Sequence, residues 1–240
     1  MRKRTSILGV PIDVVTLESA MKRVSALLEG DRCAMVITPN PEIVMAATQD
    51  EELLTTLSAS DLSIPDGIGL IYASHIQKLG LIERVTGVDL MRKILEHANL
   101  RNKSIYVLGG KPGVAELACM NIKREFSSIK VMGFHDGYFK EDEEGKILQD
   151  INQKCPDILF AALGAPRQEK WIYGHKDILK VKVAMGVGGC VDIWAGTAKR
   201  APKAFQRLGL EWFYRLLKEP RRYKRMMALP KFMIKVLLKK

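Results

Sequence analysis

The chain has 240 residues, 47% of them apolar, which suits one domain with a substantial core. Its net charge is +11, but residues 199–240 carry 14 lysines and arginines against two acids, a net of +12 that leaves −1 for the rest. The near-neutral body excludes a protein that binds polyanions over its whole surface, and the basic tail indicates an anionic partner: nucleic acid, anionic lipid or phosphate groups.

Short apolar runs alternate with segments of helical periodicity. The runs predict buried strands at 34–38, 62–65, 104–110, 130–134, 157–163 and 181–187. The periodic segments predict helices at 16–29, 40–59, 67–80, 87–99, 112–126, 142–153, 166–177 and 202–218. This alternation predicts an α/β fold: a Rossmann-like, mostly parallel sheet with helices on both faces. We expect a body at 1–195 and a basic amphipathic appendage of helices at 196–240 that binds a membrane.

Several classes of site and segment are not expected. The four cysteines form no C-x-x-C pair, and the four histidines show no metal-ligand spacing, so we predict reduced thiols and no metal site. Pro11 and Asp13 break the N-terminal apolar run, which argues against a signal peptide. No apolar run approaches the ~20 residues of a membrane span. We therefore expect a cytoplasmic fold.

Glycine-rich loops follow two of the predicted strands. "LGGKPG" contains Gly109 and Gly110, and "GVGG" contains Gly188 and Gly189. Backbone N–H groups at such a helix start favour phosphate, but a tight βα turn explains the same glycines. Two loops of this kind together indicate a sugar nucleotide or a dinucleotide. Tyr138 in "HDGYF" either stacks on a base or fills the rim of a site.

Polar side chains follow other strands of the predicted sheet, whose carboxyl ends should share one edge. Asp66 in "IPDGIGL" is either a helix cap or a proton acceptor for a substrate hydroxyl. Thr38 and Asn40 in "TPNPE" either cap a helix or hold a sugar. Arg84 in "RVTG" and Gln168 in "PRQE" are either surface polar groups or site residues.

The tail mixes cations with large apolar residues beyond a predicted helix that Pro220 should end. That mixture is typical of an interfacial anchor, each cation contributing roughly 1 kcal/mol near an anionic bilayer. A nucleic-acid arm would need the cations alone, and an ordinary packing helix remains an alternative. Arg215, Arg222 and Arg225 have spacings that could place them on one helical face.

The ordered motifs "TPNPE", "PDGIGL", "RVTGVDL", "LGGKPG", "GAPRQEKWI", "GVGG", "KRAP" and "GLEWFYRLLKEPRR" resemble the WecG/TagA/CpsF family, glycosyltransferase family 26. The resemblance runs from about residue 7 to residue 225. It implies transfer of N-acetylmannosamine from a UDP-linked donor to the 4-hydroxyl of undecaprenyl-diphosphate-linked N-acetylglucosamine, with inversion and without a metal or other cofactor. The product belongs to wall teichoic acid synthesis.

The resemblance also implies roles for residues of this chain. Asp66 is the expected general base, and Arg84 offsets charge on the leaving diphosphate. Two larger sets share a binding role. The substrate sugars or diphosphates are expected to contact Thr38, Asn40, Gln168, Arg215, Arg222 and Arg225. The UDP is expected to contact Gly109, Gly110, Tyr138, Gly188, Gly189 and Asp192.

The sequence also indicates binding partners and leaves some alternative functions open. We expect a UDP-sugar donor, a polyprenyl-diphosphate acceptor, an anionic membrane surface on the inner face of the cell membrane and no nucleic acid. Uncovered apolar surface on the tail would also favour a homo-oligomer. Other donors, such as the uronic acid of N-acetylmannosamine or another hexose, stay open. A nucleotide-binding module with a nucleic-acid-binding tail is an alternative of another class, and a nicotinamide enzyme lacks its G-x-G-x-x-G motif.

Overall fold

The computed structural model describes residues 3–220 and 223–238, without the side chains of Lys224 and Arg225. Its strands are Arg4–Ile7 (β1), Val10–Asp13 (β2), Ala34–Ile37 (β3), Leu62–Ser63 (β4), Ser104–Gly109 (β5), Lys130–His135 (β6), Ile158–Ala162 (β7) and Val183–Gly186 (β8). Its helices are Leu17–Leu27 (α1), Pro41–Ala47 (α2), Glu51–Ser58 (α3), Ile68–Gln77 (α4), Gly87–Leu100 (α5), Val114–Glu125 (α6), Glu141–Lys154 (α7), Arg167–His175 (α8), Cys190–Ala195 (α9), Lys203–Arg207 (α10), Glu211–Lys218 (α11), Tyr223–Met226 (α12) and Ala228–Leu238 (α13).

Six strands form one sheet in the order β4-β3-β8-β7-β5-β6, and every pairing in it is parallel. The predicted α/β fold is thereby confirmed. Two apolar clusters, one for each face of the sheet, are built from alternate residues of the same strands: Met35 and Ile37 belong to one cluster, Ala34 and Val36 to the other. The sheet is therefore covered on both faces by helices, as a parallel sheet requires.

The hairpin of β1 and β2 was not predicted from the sequence. Its two strands pair antiparallel from Arg4↔Asp13 to Ile7↔Val10, through a two-residue turn in which both Leu8 and Gly9 have positive φ. Leu-Gly lacks the Asn or Asp that usually marks such a turn. The buried carboxylate of Asp13 accepts the backbone N–H of Ser63 at 2.7 Å, which fixes the hairpin to β4.

Three predicted elements differ from the structure. The predicted helix 40–59 is two helices, because Asp50 caps α3 by accepting the Leu53 N–H at 2.9 Å. The predicted helix 202–218 is also two, since Gly209 adopts φ +70° between α10 and α11. The strand at 130–134 was expected to be buried on both faces, but β6 is the edge of the sheet and is only partly covered.

The C-terminal helix α13 packs against α2 and α4 of the body. Phe232 and Val236 are fully buried and belong to the same apolar cluster as Met35 and Ile37 of β3. Two hydrogen bonds reinforce this contact: Lys235 Nζ donates to Thr48 Oγ1 at 2.9 Å, and Gln77 Nε2 donates to the carbonyl of Val236 at 3.1 Å. None of the described helices has the length and apolarity needed to cross a bilayer.

Truncation of Phe232 tests this packing. Phe232→Ala removes a fully buried ring, and we expect it to lower the free energy of unfolding by about 3–5 kcal/mol, from lost burial and the cavity left behind. The matched control is Ile234→Ala on the exposed side of the same helix, which should change stability by less than about 0.5 kcal/mol. Urea denaturation measures both, and equal effects of the two substitutions would contradict the packing described.

Candidate active site

A cavity of about 210 Å³ opens at the carboxyl edge of the sheet, where β4, β3 and β8 end. The residues after those strands, the start of α8 and the first turns of the C-terminal helices line it. The polar lining residues include Thr38, Asn40, Glu42, Asp66, Arg84, Thr86, Gln168, Glu169, Glu211 and Arg215. The structure therefore brings together six of the predicted side chains: Thr38, Asn40, Asp66, Arg84, Gln168 and Arg215.

Asp66 lies three residues after the end of β4, and backbone hydrogen bonds hold this segment from two directions. Its N–H lies 3.1 Å from the Pro39 carbonyl, and the Val85 N–H donates to the carbonyl of Pro65 at 3.1 Å. Its Oδ2 accepts the N–H of Gly87, at the start of α5, at 3.2 Å. The carboxylate is thus not a cap for its own helix α4, whose N-cap residue is Gly67 and has no side-chain bond.

Burial raises the pKa of Asp66 from its ordinary value near 3.8 to about 6. The Gly87 hydrogen bond and the positive charges of Arg215 and Arg84 act in the opposite direction, whereas the negative charge of Glu211 raises the pKa further. A carboxyl group with a pKa of about 6 is mostly ionised at neutral pH and takes up a proton readily, as a general base must.

Two arginines reach the cavity from different parts of the chain. Arg84, in the loop before α5, donates from Nη1 to Glu211 Oε2 at 2.8 Å and from Nη2 to the Gln206 carbonyl at 3.0 Å. Arg215, one turn after Glu211 on α11, is exposed at the cavity wall and has no ion-pair partner among the described residues. Both cations are therefore placed where an anionic group could bind.

Thr38 and Asn40 take different local roles at the end of β3. Asn40 is the N-cap of α2, because its Oδ1 accepts the Ile43 N–H at 3.1 Å. This bond commits the oxygen and fixes the amide, whose two N–H donors remain at the cavity wall. Thr38 does not cap the helix: its Oγ1 lies 3.5 Å from the carbonyl of Gly186, at the end of the neighbouring β8.

Gln168 is buried and held in a single orientation. Its Oε1 accepts the Gly188 N–H at 3.1 Å, and its Nε2 donates to Glu169 Oε1 at 2.8 Å. Sequence reasoning did not single out Glu169, which is 2% exposed and whose Oε2 has no hydrogen-bond partner among the described residues. Burial raises the pKa of this carboxyl group as well, against the Gln168 hydrogen bond. The one acid of the "PRQE" motif, next to Gln168, was the available signal.

The six predicted UDP contacts fall into two places. Gly188 and Gly189 line the cavity after β8, and Asp192 lies in the first turn of the following helix α9. Gly109 ends β5 and Gly110 follows it, and neither is among the cavity's lining residues. A Cβ on Gly109 would meet the Ala162 carbonyl oxygen at 2.3 Å, so close packing of β5 against β7 alone requires glycine there.

Tyr138 lies beside that second place, in the loop after β6. Its side chain is 69% exposed, and its N–H is bound by Asp136 Oδ1 at 2.8 Å. Arg167, at the start of α8, donates to the Gly137 carbonyl at 2.9 Å and thereby ties this loop to the helix that carries Gln168. The Tyr138 ring is therefore open to a stacking partner at the same edge of the sheet.

Arg215 and Arg225, two of the predicted arginines of the tail, do not share one helical face. Arg215 is on α11, which ends at Lys218 before Pro220, and Arg225 is on the separate helix α12. Arg222 lies outside the described residues, as does the side chain of Arg225. Beside Arg215 the tail lines the cavity with apolar groups, namely Trp212, Met226 and Leu229.

Within residues 3–220 and 223–238, no group of three His, Cys, Asp or Glu side chains is arranged to hold a metal ion. Three of the four cysteines, Cys33, Cys119 and Cys190, are buried, and burial raises the pKa of each thiol to about 12. These thiols are neutral and act as small apolar groups. Cys190 lines the cavity but is not available as a thiolate nucleophile.

Comparison with known proteins adds a family to this geometry. The model of the glycosyl transferase WecG/TagA/CpsF family matches residues 5–240. A Bacillus subtilis (strain 168) protein named N-acetylglucosaminyldiphosphoundecaprenol N-acetyl-beta-D-mannosaminyltransferase is 38% identical over 204 residues, 85% of this chain and 79% of its own. A Staphylococcus aureus (strain MRSA252) protein of the same name is 32% identical over 235 residues, 97% of this chain and 92% of its own. The similarity therefore includes the basic tail.

The raised pKa of Asp66 has a consequence for stability. Below about pH 4 the carboxyl group is protonated in both the folded and the unfolded chain, so its burial does not oppose folding through ionisation. Between about pH 4 and pH 6 the unfolded chain releases this proton more readily than the folded chain, so the stability contributed by the protonated group is lost, and the loss is complete above about pH 6. We expect Asp66→Asn to raise the free energy of unfolding at pH 8 by on the order of 1–3 kcal/mol, and to change it little at pH 4. Urea denaturation at both pH values measures this, and a variant destabilised at pH 8 would contradict the assigned environment.

Proposed function

Because the chain belongs to the WecG/TagA/CpsF glycosyltransferase family, we propose that it transfers N-acetylmannosamine from UDP-N-acetylmannosamine to polyprenyl-diphosphate-linked N-acetylglucosamine. The observation that carries the proposal is one cavity in which a partly buried carboxylate, Asp66, lies within the electrostatic reach of two arginines, Arg84 and Arg215. A sugar transfer of this kind needs a base at the acceptor hydroxyl and cations at the leaving diphosphate.

Asp66 acts as the base. The acceptor's 4-hydroxyl attacks the anomeric carbon as its proton passes to the Asp66 carboxylate. The bond between that carbon and the diphosphate oxygen breaks, and its electron pair leaves with UDP. A single in-line attack on an α-linked donor gives a β-linked product, which agrees with the "beta" in the relatives' names. The Gly87 hydrogen bond holds one carboxylate oxygen and leaves the other for the acceptor.

The arginines stabilise the charge that develops on the leaving group. Arg84 uses two of its five N–H donors on Glu211 and Gln206, which leaves the others for a diphosphate oxygen. Arg215 brings a second cation from α11. The Arg84 side chain is only 17% exposed, so its interaction with an anion is stronger than that of a cation at an open surface. Arg222 and Arg225, later in the tail, remain proposed contacts for the donor or acceptor diphosphate.

The remaining site residues orient the two substrates. Thr38, Asn40 and Gln168 present hydroxyl and amide groups to the sugars, and the two amides are fixed by Ile43 and Gly188. The backbone of Gly188 and Gly189, with Asp192, contacts UDP. Gly109, Gly110 and the exposed ring of Tyr138 extend that binding surface towards the uracil base.

The tail places the enzyme at the membrane that holds its acceptor. Opposite the buried side of α13, Ile234, Leu237 and Leu238 are exposed, together with Lys231. Phe213 and Leu217 on α11, Tyr223 on α12, and Met227 between α12 and α13 are exposed as well. Exposed apolar groups between cations are typical of a helix that lies in a bilayer interface. We infer that these residues bind the anionic cytoplasmic face, and the same surface favours self-association in the absence of lipid.

Substitution of Asp66 tests the base. With UDP-N-acetylmannosamine and a short-chain prenyl-diphosphate-N-acetylglucosamine acceptor, Asp66→Asn should lower kcat by about 10²–10⁴-fold, the usual contribution of a general base. UDP release measures the rate, and Asp142→Asn on the exposed start of α7 is the control. The wild-type kcat/KM should fall below about pH 6, the pKa of Asp66. Near-normal turnover by Asp66→Asn would show that another group takes the proton.

The same assay decides the donor. We expect UDP-N-acetylmannosamine to be turned over in preference to its uronic acid and to other UDP-hexoses. If the enzyme instead prefers one of those donors, the proposed donor is wrong, whereas the family and the proposed base are unaffected.

A vesicle assay tests the membrane role. We expect the protein to sediment with phosphatidylglycerol vesicles more than with phosphatidylcholine vesicles, and less at high salt because charge is screened. Leu237→Gln should weaken binding about tenfold, since an exposed leucine that enters the interface contributes about 1–2 kcal/mol. The control is Leu100→Gln, which changes a similarly exposed leucine at the end of α5. Equal binding by both variants would place the contact elsewhere.

A further inference from the structure

Four side chains of alternating charge form a chain beside the cavity. The carboxylate of Asp89, in the first turn of α5, accepts hydrogen bonds from both terminal nitrogens of Arg200, at 2.6 and 2.7 Å. Arg200 Nε lies 3.4 Å from Glu211 Oε1, and the other oxygen of Glu211 accepts Arg84 Nη1 at 2.8 Å. A carboxylate with an arginine on each oxygen therefore joins the body to the C-terminal helices.

These ion pairs are partly withdrawn from water. The side chains of Arg84 and Glu211 are 17% and 16% exposed. Burial by itself would raise the pKa of Asp89, but the hydrogen bonds from Arg200 and Thr86 outweigh it and lower that pKa. Partly buried, bidentate pairs hold their geometry better than exposed ones, whose net contribution is small. The chain of charges is therefore suited to fixing positions at the cavity wall.

Glu211 occupies the central place in this chain. It is the first residue of α11, where a negative charge also complements the helix dipole. Its carboxylate orients the Arg84 guanidinium, and its backbone begins the turn that carries Arg215 into the cavity, four residues later. Among the described residues, two cations line the cavity: Glu211 binds Arg84 directly and lies one helical turn before Arg215.

We propose that Glu211 is a positioning residue for the transfer reaction, and that Arg200, bound to Asp89, anchors it. Glu211 does not touch the reacting atoms. It holds Arg84 with free N–H donors directed to the diphosphate and fastens α11 over the site. The kinetic part of this proposal rests on the proposed function, whereas the fastening of α11 stands on the ion pairs alone.

Kinetics test the positioning role. Glu211→Gln keeps the size of the side chain but removes its charge, and we expect kcat/KM to fall about tenfold or more, mostly in kcat. The acid limb of the pH profile should move to lower pH, because Glu211 otherwise raises the pKa of Asp66. In an Arg84→Ala background the same substitution should cost much less, since the group it positions is gone. A wild-type rate and profile for Glu211→Gln, or additive losses in the double variant, would overturn the proposal.

Hydrogen–deuterium exchange tests the fastening without any substrate. In the full chain, Glu211→Gln and Arg200→Gln should both speed exchange of the amides of α10 and α11 and leave the sheet unchanged. The matched controls remove a charge of the same sign from a neighbouring residue. They are Glu83→Gln, which precedes Arg84, and Lys199→Gln, which precedes Arg200. Faster exchange in the controls to the same extent, or none in Glu211→Gln, would overturn the anchoring role. Absence of transferase activity in the wild type would count against the proposed function and not against this result.

Discussion

The parallel pairing of β3 with β4 on one side and β8 on the other is the constraint on which the site depends. Parallel strands end at the same edge, so the loops after these three strands meet there whatever their distance along the chain. The chain leaves β3 towards β4, whereas after β8 it continues into α9, which packs on α6 on the side of the sheet away from β4. The segments that leave these two neighbouring strands therefore diverge. The crevice at that divergence is the cavity, and Thr38, Asp66 and Gly188 enter it from three separate segments.

Desolvation in that crevice has two opposing results. It raises the pKa of Asp66 to about 6, and ionising that carboxyl group costs folding free energy. The low exposure of Arg84 likewise strengthens its interaction with any bound anion. Both properties suit the roles that we propose for these residues, a general base and cations at a leaving diphosphate. Ionised Asp66 therefore lowers the stability of the fold, and the apolar clusters on both faces of the sheet offset that loss.

The basic tail has three structural parts rather than one. The segment before α11 and the start of α11 enter the charge chain with Arg84 through Arg200 and Glu211. The buried side of α13 completes an apolar cluster with Phe232. Its opposite side, with Leu237, remains exposed. Composition alone suggested a single anionic partner for the whole tail. The structure instead assigns part of the positive charge to internal ion pairs and part of the apolar content to the core.

Local pattern determined most of the elements. The alternation of apolar runs and helical periodicity predicted the six-stranded sheet, and the polar residues after strands, such as Asp66 and Gln168, were visible because strand ends are marked by Gly and Pro. Sequence pattern missed Glu211 and the hairpin turn at Leu8, where no usual turn residue is present. It also could not tell capping from binding for Asn40, since both use the same amide. Only the tertiary structure decided that Glu211 meets Arg84 across 127 residues of chain, because such pairings follow from how helices pack on the sheet and leave no periodic signal in the sequence.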